Sequence, residues 1–138
     1  KCRLSIVRIE QISIGALVDS EGRILLTRRP NNKKMAKLWE FPGGKIENNE
    51  LPDEALIREL KEELSIETWK SCLAPVTFVL HKYKNFHAIL FLFICRRWDG
   101  IPNPLEGQEM TWVRRTELKK YQMPEANSFL VAILRDWI

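Results

Sequence analysis

The sequence predicts a mixed α/β (α+β) fold, two helices layered on a sheet, and three observations carry that expectation. Apolar residues alternate over residues 9–18, and β-branched and aromatic residues crowd residues 76–83 and 86–98. Leucines recur at helical spacing after Pro52, and a second apolar helical stripe lies near the C-terminus. Elements of both kinds that each bury one face settle into a layered sandwich. At 138 residues and 45% hydrophobic content, residues 1–138 are expected to form one domain with a core of its own.

Residues 9–18 read as a strand with Ile12, Ile14 and Ala16 on one side. Asp19-Ser20-Glu21-Gly22 supplies turn chemistry, so residues 23–27 should return as the second arm of a hairpin. A polar loop covers residues 30–37. The next element is a helix over residues 52–64. Pro52 suits its first turn, Asp53 and Glu54 suit the positive end of its dipole, and Leu56, Leu60 and Leu64, with Ile57 beside them, form its apolar stripe. Ser65 follows where a helix commonly ends in left-handed conformation; a side chain there costs about 1 kcal/mol relative to glycine.

Residues 76–83 and 86–98 read as a long hairpin about Lys84-Asn85. Pro102, Pro104 and two glycines make residues 99–107 a loop, before a short strand at 110–113. The tail over 127–138 reads as a helix with Phe129, Leu130, Ile133, Leu134 and Trp137 as its core stripe and Asn127 or Ser128 as N-cap. There is no internal repeat and no low-complexity segment.

Composition narrows the function classes. Twenty-two basic and 18 acidic residues leave a charge of +4, with acidity concentrated over residues 40–67. Such a field suits a polyanionic small molecule that meets a cation at an acidic site. No basic run interleaves with aromatics as in a strand-tracking nucleic-acid binder, and the pairs Arg28-Arg29, Arg96-Arg97, Arg114-Arg115 and Lys119-Lys120 read as solvated faces except where a further argument applies. Three cysteines without Cys-x-x-Cys spacing argue for reduced thiols, two of them buried, and against a disulfide framework or zinc site. The longest apolar run, residues 88–95, is strand-length, and no secretory pattern opens the chain. The expectation is cytoplasmic, with an upstream segment left open because the chain starts at Lys1.

The chemistry concentrates in the 52–64 helix. Glu59, Glu62 and Glu63 stand at i, i+3 and i+4, so one side of the rod carries three carboxylates beside its leucine stripe. Such neighbours repel unless water or a cation screens them. Hard divalent cations take oxygen ligands, commonly a few carboxylates plus substrate phosphates. Arg58 precedes Glu62 by four residues and can fix a carboxylate rotamer with its planar fork.

Upstream, Gly44 and Glu50 complete a longer pattern: Gly44, five residues, Glu50, seven residues, then Arg58-Glu59-Leu60-Lys61-Glu62-Glu63-Leu64-Ser65-Ile66. This resembles the box of the Nudix hydrolase family at every position except Ser65, where the family has glycine. Over residues 12–134 the resemblance runs closest to the MutT branch. Leu38-Trp39-Glu40-Phe41-Pro42-Gly43-Gly44-Lys45 is similar to that branch's loop entering the box, Glu106-Gly107-Gln108 to its metal-assisting loop, and Pro124-Glu125-Ala126-Asn127 to its purine-reading segment.

The resemblance implies a Nudix α/β/α sandwich around a mixed β-sheet and Mg²⁺-dependent (or Mn²⁺-dependent) hydrolysis of 8-oxo-dGTP to 8-oxo-dGMP and pyrophosphate. It implies metal ligation by the Gly43 carbonyl and by Glu59, Glu62, Glu63 and Glu106. Arg29, Lys34, Glu40, Phe41, Pro42, Gly43 and Asn127 are implied as the substrate contacts. Asn127 has two readings, a helix N-cap or an amide that reads a base edge. Arg58, Glu59, Glu62 and Glu106 form the implied catalytic set; which glutamate takes the proton from water is left open, because clustered carboxylates titrate together. The expected partner is a free nucleotide, with no nucleic acid or membrane required and the chain acting as a monomer. Two other readings stay open: a Nudix hydrolase of ADP-ribose, a dinucleoside polyphosphate or an RNA 5′ end, and a non-catalytic domain reading oxidised guanine in DNA, as in MutY-type glycosylases. The second generally lacks the glutamate cluster retained here.

Overall fold

The computed structural model describes residues 7–30 and 37–137, the Trp137 side chain excepted. Seven strands and two helices follow in the order β1 (Ile9–Leu17), β2 (Arg23–Arg28), β3 (Trp39–Glu40), β4 (Gly43–Lys45), α1 (Pro52–Leu64), β5 (Leu73–Lys82), β6 (His87–Cys95), β7 (Glu109–Arg114) and α2 (Glu125–Trp137). Short 3-10 turns at Lys70–Cys72 and Arg115–Lys120 lead into β5 and out of β7. The larger sheet has the order β4-β1-β6-β5 and is mixed, since β1 runs parallel to β6 and antiparallel to β4. A second, antiparallel sheet has the order β3-β2-β7. No helix among the described residues is long and apolar enough to cross a membrane.

Strand alternation divides the interior into two cores. Ile14, Ala16, Leu90, Leu92, Ile24 and Leu26 point to the face covered by Ala126, Leu130 and Leu134 of α2. Leu17, Leu25, Phe93 and Cys95 point the other way, against Leu56, Leu60 and Leu64 of α1. Because β1 is covered on both faces, its second half is buried throughout, whereas its first half keeps the alternation expected of a half-buried strand. This α/β/α layering fits the sandwich implied by the resemblance.

Local signals hold well. Helix α1 has the expected bounds and ends at Ser65 with φ 58° and ψ 35°, its N–H donating to the Lys61 carbonyl. The β5–β6 hairpin closes through Tyr83 N–H to the Phe86 carbonyl, with a bulge between Pro75 and Thr77. The expected β1–β2 hairpin needs correction. Its turn forms, Asp19 accepting the Gly22 and Arg23 amides, but only the bridge Val18↔Ile24 joins the two arms before they part into different sheets. Strand β1 already has β4 and β6 on its edges and cannot pair a third strand.

Helix α2 also starts earlier than its apolar stripe suggested. Pro124 is its cap residue, its carbonyl accepting the Asn127 and Ser128 amides, so neither Asn127 nor Ser128 is the N-cap. Phe129 is 53% exposed, off the stripe centred on Leu130 and Leu134. Of the thiols, Cys95 is buried and Cys72 half-buried, both unpaired; Cys2 lies outside the described residues.

Candidate functional site

Helix α1 is pinned at both ends. The buried Ser13 hydroxyl of β1 donates to the Pro52 carbonyl at 2.7 Å, and Glu54 accepts the Leu51 amide at 2.8 Å, satisfying a donor at the helix start. At the other end, Leu105 N–H donates to the Glu63 carbonyl and Asn103 N–H to the Leu64 carbonyl, both at 2.9 Å. The Pro/Gly loop thus caps the final turn, and this carries Glu106 to the end of the acidic face. Gln108 tightens the loop: its Oε1 accepts the Glu106 amide at 2.8 Å, and its Nε2 donates to the Glu63 carbonyl at 3.3 Å.

Arg58 is the hub of the acidic face. Its guanidinium grips Glu50 with two hydrogen bonds and also donates to Glu59 Oε1 at 2.9 Å, Glu62 Oε2 at 3.2 Å and the Lys45 carbonyl at 3.1 Å. The role expected from its spacing to Glu62 is present in the geometry, but its principal partner is Glu50, in the preceding loop. These carboxylates push the Arg58 guanidinium further above its already high range.

Glu59 packs its carboxyl against Gly44, where a Cβ would collide with it. Gly43 has φ +149°, and a Cβ there would run into the Ser13 carbonyl of β1. Glycine is therefore required twice, once to pair with β1 and once to seat Glu59. Glu63 is half-buried at the edge of the face. Burial pushes its carboxyl up to about 9, helped by a hydrogen bond with Glu59 and by the charges of Glu59, Glu40 and Glu106. Glu62 stays on the solvent side.

A cleft of about 590 Å³ opens over this face, lined by Arg29, Glu40, Phe41, Gly43, Glu63 and Glu106, with Thr27, Pro30 and Gln108. Arg29, Glu40, Phe41 and Gly43 also border a second cavity of about 150 Å³ that runs under α2 to Tyr83, Phe86, Pro124 and Asn127. The two volumes share a wall, so a ligand with an anionic end and a flat ring could occupy both. Arg29 makes a two-point contact with Glu40, at 2.6 and 3.0 Å, and that contact raises its pKa. At the far end, Asn127 is 9% exposed, and its Oδ1 is buried with no hydrogen-bond partner among the described residues. An acceptor left in that state costs about 1–3 kcal/mol, which a ligand donor would recover.

The expected site residues thus divide. Arg29, Glu40, Phe41, Gly43, Glu63, Glu106 and Asn127 line one or both of the two neighbouring cavities, while Glu59 and Glu62 stand on the adjoining helix face under the control of Arg58. Pro42 is buried behind the wall, with its carbonyl on the Gly15 amide, and lines neither cavity. Lys34 lies outside the described residues. Gln108, Tyr83 and Phe86 were not anticipated as site residues. The aromatic pair read as ordinary strand flanks, and only Gln108 carried a signal, through its place in the Glu106-Gly107-Gln108 segment.

The donor set suits a hard divalent cation: every group is a carboxylate or carbonyl oxygen, and a cation would offset both the burial and the crowded negative charge that raise the Glu63 carboxyl. Among the described residues, no three acidic, histidine or cysteine side chains already converge as a cage. Further oxygens, from a substrate or water, are needed to complete coordination.

The sequence profile of the NUDIX domain matches residues 13–132. The 8-oxo-dGTP diphosphatase of Escherichia coli (strain K12) is 35% identical over 130 residues, covering 91% of this chain and 95% of that protein. The E. coli CTP pyrophosphohydrolase is 50% identical, but over 54 residues, 39% of this chain and 40% of that protein. A solved MutT structure, from a study of the Aliivibrio salmonicida and Vibrio cholerae proteins, superposes with a TM-score of 0.81 at 30% identity. It covers 95% of this chain and all of its own.

Proposed function

The chain belongs to the Nudix family, and from that premise we propose that it hydrolyses oxidised purine nucleoside triphosphates, 8-oxo-dGTP to 8-oxo-dGMP and pyrophosphate, in sanitation of the nucleotide pool. The carrying observation is Asn127, whose buried Oδ1 has no hydrogen-bond partner among the described residues and which lines a cavity sharing Arg29, Glu40, Phe41 and Gly43 with the acidic cleft. An acceptor there asks for a donor. Ordinary guanine offers only acceptors, N7 and O6, on that edge. Oxidation at C8 turns N7 into an N–H donor, so the amide can accept from N7–H and donate to O6; with ordinary guanine its oxygen would face a lone pair. Discrimination by a hydrogen bond that one base form leaves unmade is the kind that binding can supply strongly.

In this reading the oxidised base stacks near Phe41 and meets Asn127, while the triphosphate extends over Gly43 toward Glu63 and Glu106. The Gly43 carbonyl, Glu59, Glu62, Glu63 and Glu106 would hold divalent cation, taken as Mg²⁺. The cation supplies charge neutralisation on the phosphates and acidifies water. A carboxylate among Glu59, Glu62 and Glu106 takes a proton from the attacking water, whose oxygen bonds to the β-phosphorus. The bond from that phosphorus to the oxygen shared with the α-phosphate breaks, and its electron pair leaves with the nucleoside monophosphate. Arg58 holds Glu59 and Glu62 in place during this step, and Glu50 holds Arg58. The same reading has the chain working as a monomer on free nucleotide in the cytoplasm.

The relatives support the base as much as the phosphate chemistry. Phe41 and Asn127, which both line the inner cavity, lie farther apart in sequence than the 54 residues matched to the CTP pyrophosphohydrolase, whereas the 8-oxo-dGTP diphosphatase match is long enough to take in both. The test is kcat/KM for 8-oxo-dGTP, dGTP and CTP with Mg²⁺, with products identified by mass. Strong preference for 8-oxo-dGTP with release of 8-oxo-dGMP and pyrophosphate is expected. Equal or greater efficiency on dGTP or CTP would refute the assignment to oxidised purines.

A further inference from the structure

We infer that Tyr83 is a specificity-positioning residue: its phenol hydroxyl acts as a tertiary N-cap for α2 and so sets the orientation in which Asn127 faces the inner cavity. The inference rests on Asn127 reading the base.

The need for such a cap follows from the start of the helix. Pro124 is the cap residue of α2, and its side chain has no atom that can accept a hydrogen bond from the first turn. The amides of Glu125 and Ala126 precede the first intrahelical bonds and must find partners elsewhere. Tyr83, one residue beyond β5, accepts the Ala126 amide on its hydroxyl oxygen at 3.2 Å. The contact joins residues 43 positions apart and falls on the residue next to Asn127.

Tyr83 is itself held on two sides. Its ring stacks on Phe86 with centroids 4.9 Å apart and planes 23° from parallel, and both rings border the inner cavity. His81 meets it edge-on at 4.5 Å and reaches the same helix turn, Nε2 lying 2.9 Å from Glu125 Oε2. The end of β5 therefore fastens the first turn of α2 at Glu125 and Ala126, immediately before Asn127. A helix start without these ties can fray by a turn. Fraying would swing the amide off the base edge while leaving the carboxylate face of α1 untouched.

The discriminating variant is Tyr83→Phe, which keeps the ring and its stacking and removes only the acceptor. Two readouts are compared with wild type: hydrogen exchange of the Ala126 amide, which needs no substrate, and the ratio of kcat/KM for 8-oxo-dGTP to that for dGTP. Faster Ala126 exchange together with a ratio lowered about 2- to 10-fold, the factor carried by one neutral hydrogen bond, is expected, with the loss residing in KM for 8-oxo-dGTP. Unchanged exchange would overturn the cap. Faster exchange with an unchanged ratio, or a loss confined to kcat on both nucleotides, would overturn its role in specificity. Absence of any preference in the wild-type enzyme would be a failure of the functional reading itself, and the exchange result would still report on the cap.

Discussion

Arg58 holds Glu50 by two parallel hydrogen bonds, Nε to Oε2 at 2.6 Å and Nη2 to Oε1 at 3.0 Å, between residues eight apart. The fork ties the loop after β4 to the middle of α1, and its remaining donor reaches the Glu59 and Glu62 carboxylates. Bidentate pairing of this kind fixes orientation as well as distance.

That grip has a pH signature. The Arg58 guanidinium, and next the Glu47 amide, lower the Glu50 carboxyl from its ordinary 4.5 to about 2. A carboxyl lowered on folding stabilises the fold above its unfolded pKa, and that contribution is lost as pH falls through the folded one. The melting temperature of wild type should therefore drop more steeply than that of Glu50→Gln between about pH 4.5 and about pH 2. Parallel thermal curves across that window would contradict the pairing.

Ser65 should be improvable. It holds φ 58° at the C-terminus of α1, where a side chain costs about 1 kcal/mol. Ser65→Gly should raise the melting temperature by about 2–5 °C with kcat/KM little changed, as calorimetry and a single assay would register. A fall in melting temperature would rule out strain at this position.

Adjacent glycines should fail differently. Alanine at Gly43 drives its Cβ into the Ser13 carbonyl at a φ that L-residues avoid, so Gly43→Ala should unfold more readily, by about 1–3 kcal/mol from backbone strain alone. Alanine at Gly44 meets only the flexible end of Glu59. Gly44→Ala should keep most of its stability yet lose activity on the order of 10²-fold, because a reacting group displaced by about 1 Å can cost that much. Denaturant titrations beside kinetics separate the two, and equal stability losses would refute the distinction.

Glu63→Gln should leave the fold intact and abolish turnover. The neutral amide replaces a carboxyl that burial and its acidic neighbours already hold protonated. The melting temperature without cation should not fall, while the rise that Mg²⁺ gives wild type by binding the native state should vanish. Near-normal turnover at saturating Mg²⁺ would exclude Glu63 as a ligand.

Sequence alone determined what is local. Pro52, the acids after it, leucines four apart and Ser65 all act within a turn or two of one helix, so the bounds of α1, its capping and the shared face of Glu59, Glu62 and Glu63 were legible before any coordinates. The same holds for the β5–β6 hairpin, closed by its own short turn. Strands β3 and β4, of two and three residues, are too short to show a period, and they exist because β2 and β1 had edges to offer. Only tertiary structure decided that β2 leaves β1 for a second sheet, since that depends on which edges other strands had taken. It likewise decided that Arg58 answers to Glu50, that the Tyr83 hydroxyl just beyond β5 accepts an amide at the start of α2, and that Asn127 is no N-cap but has a buried Oδ1 without a partner among the described residues. Each of these is a contact between distant segments, set by which apolar faces could be buried together, and no periodicity within either segment encodes it.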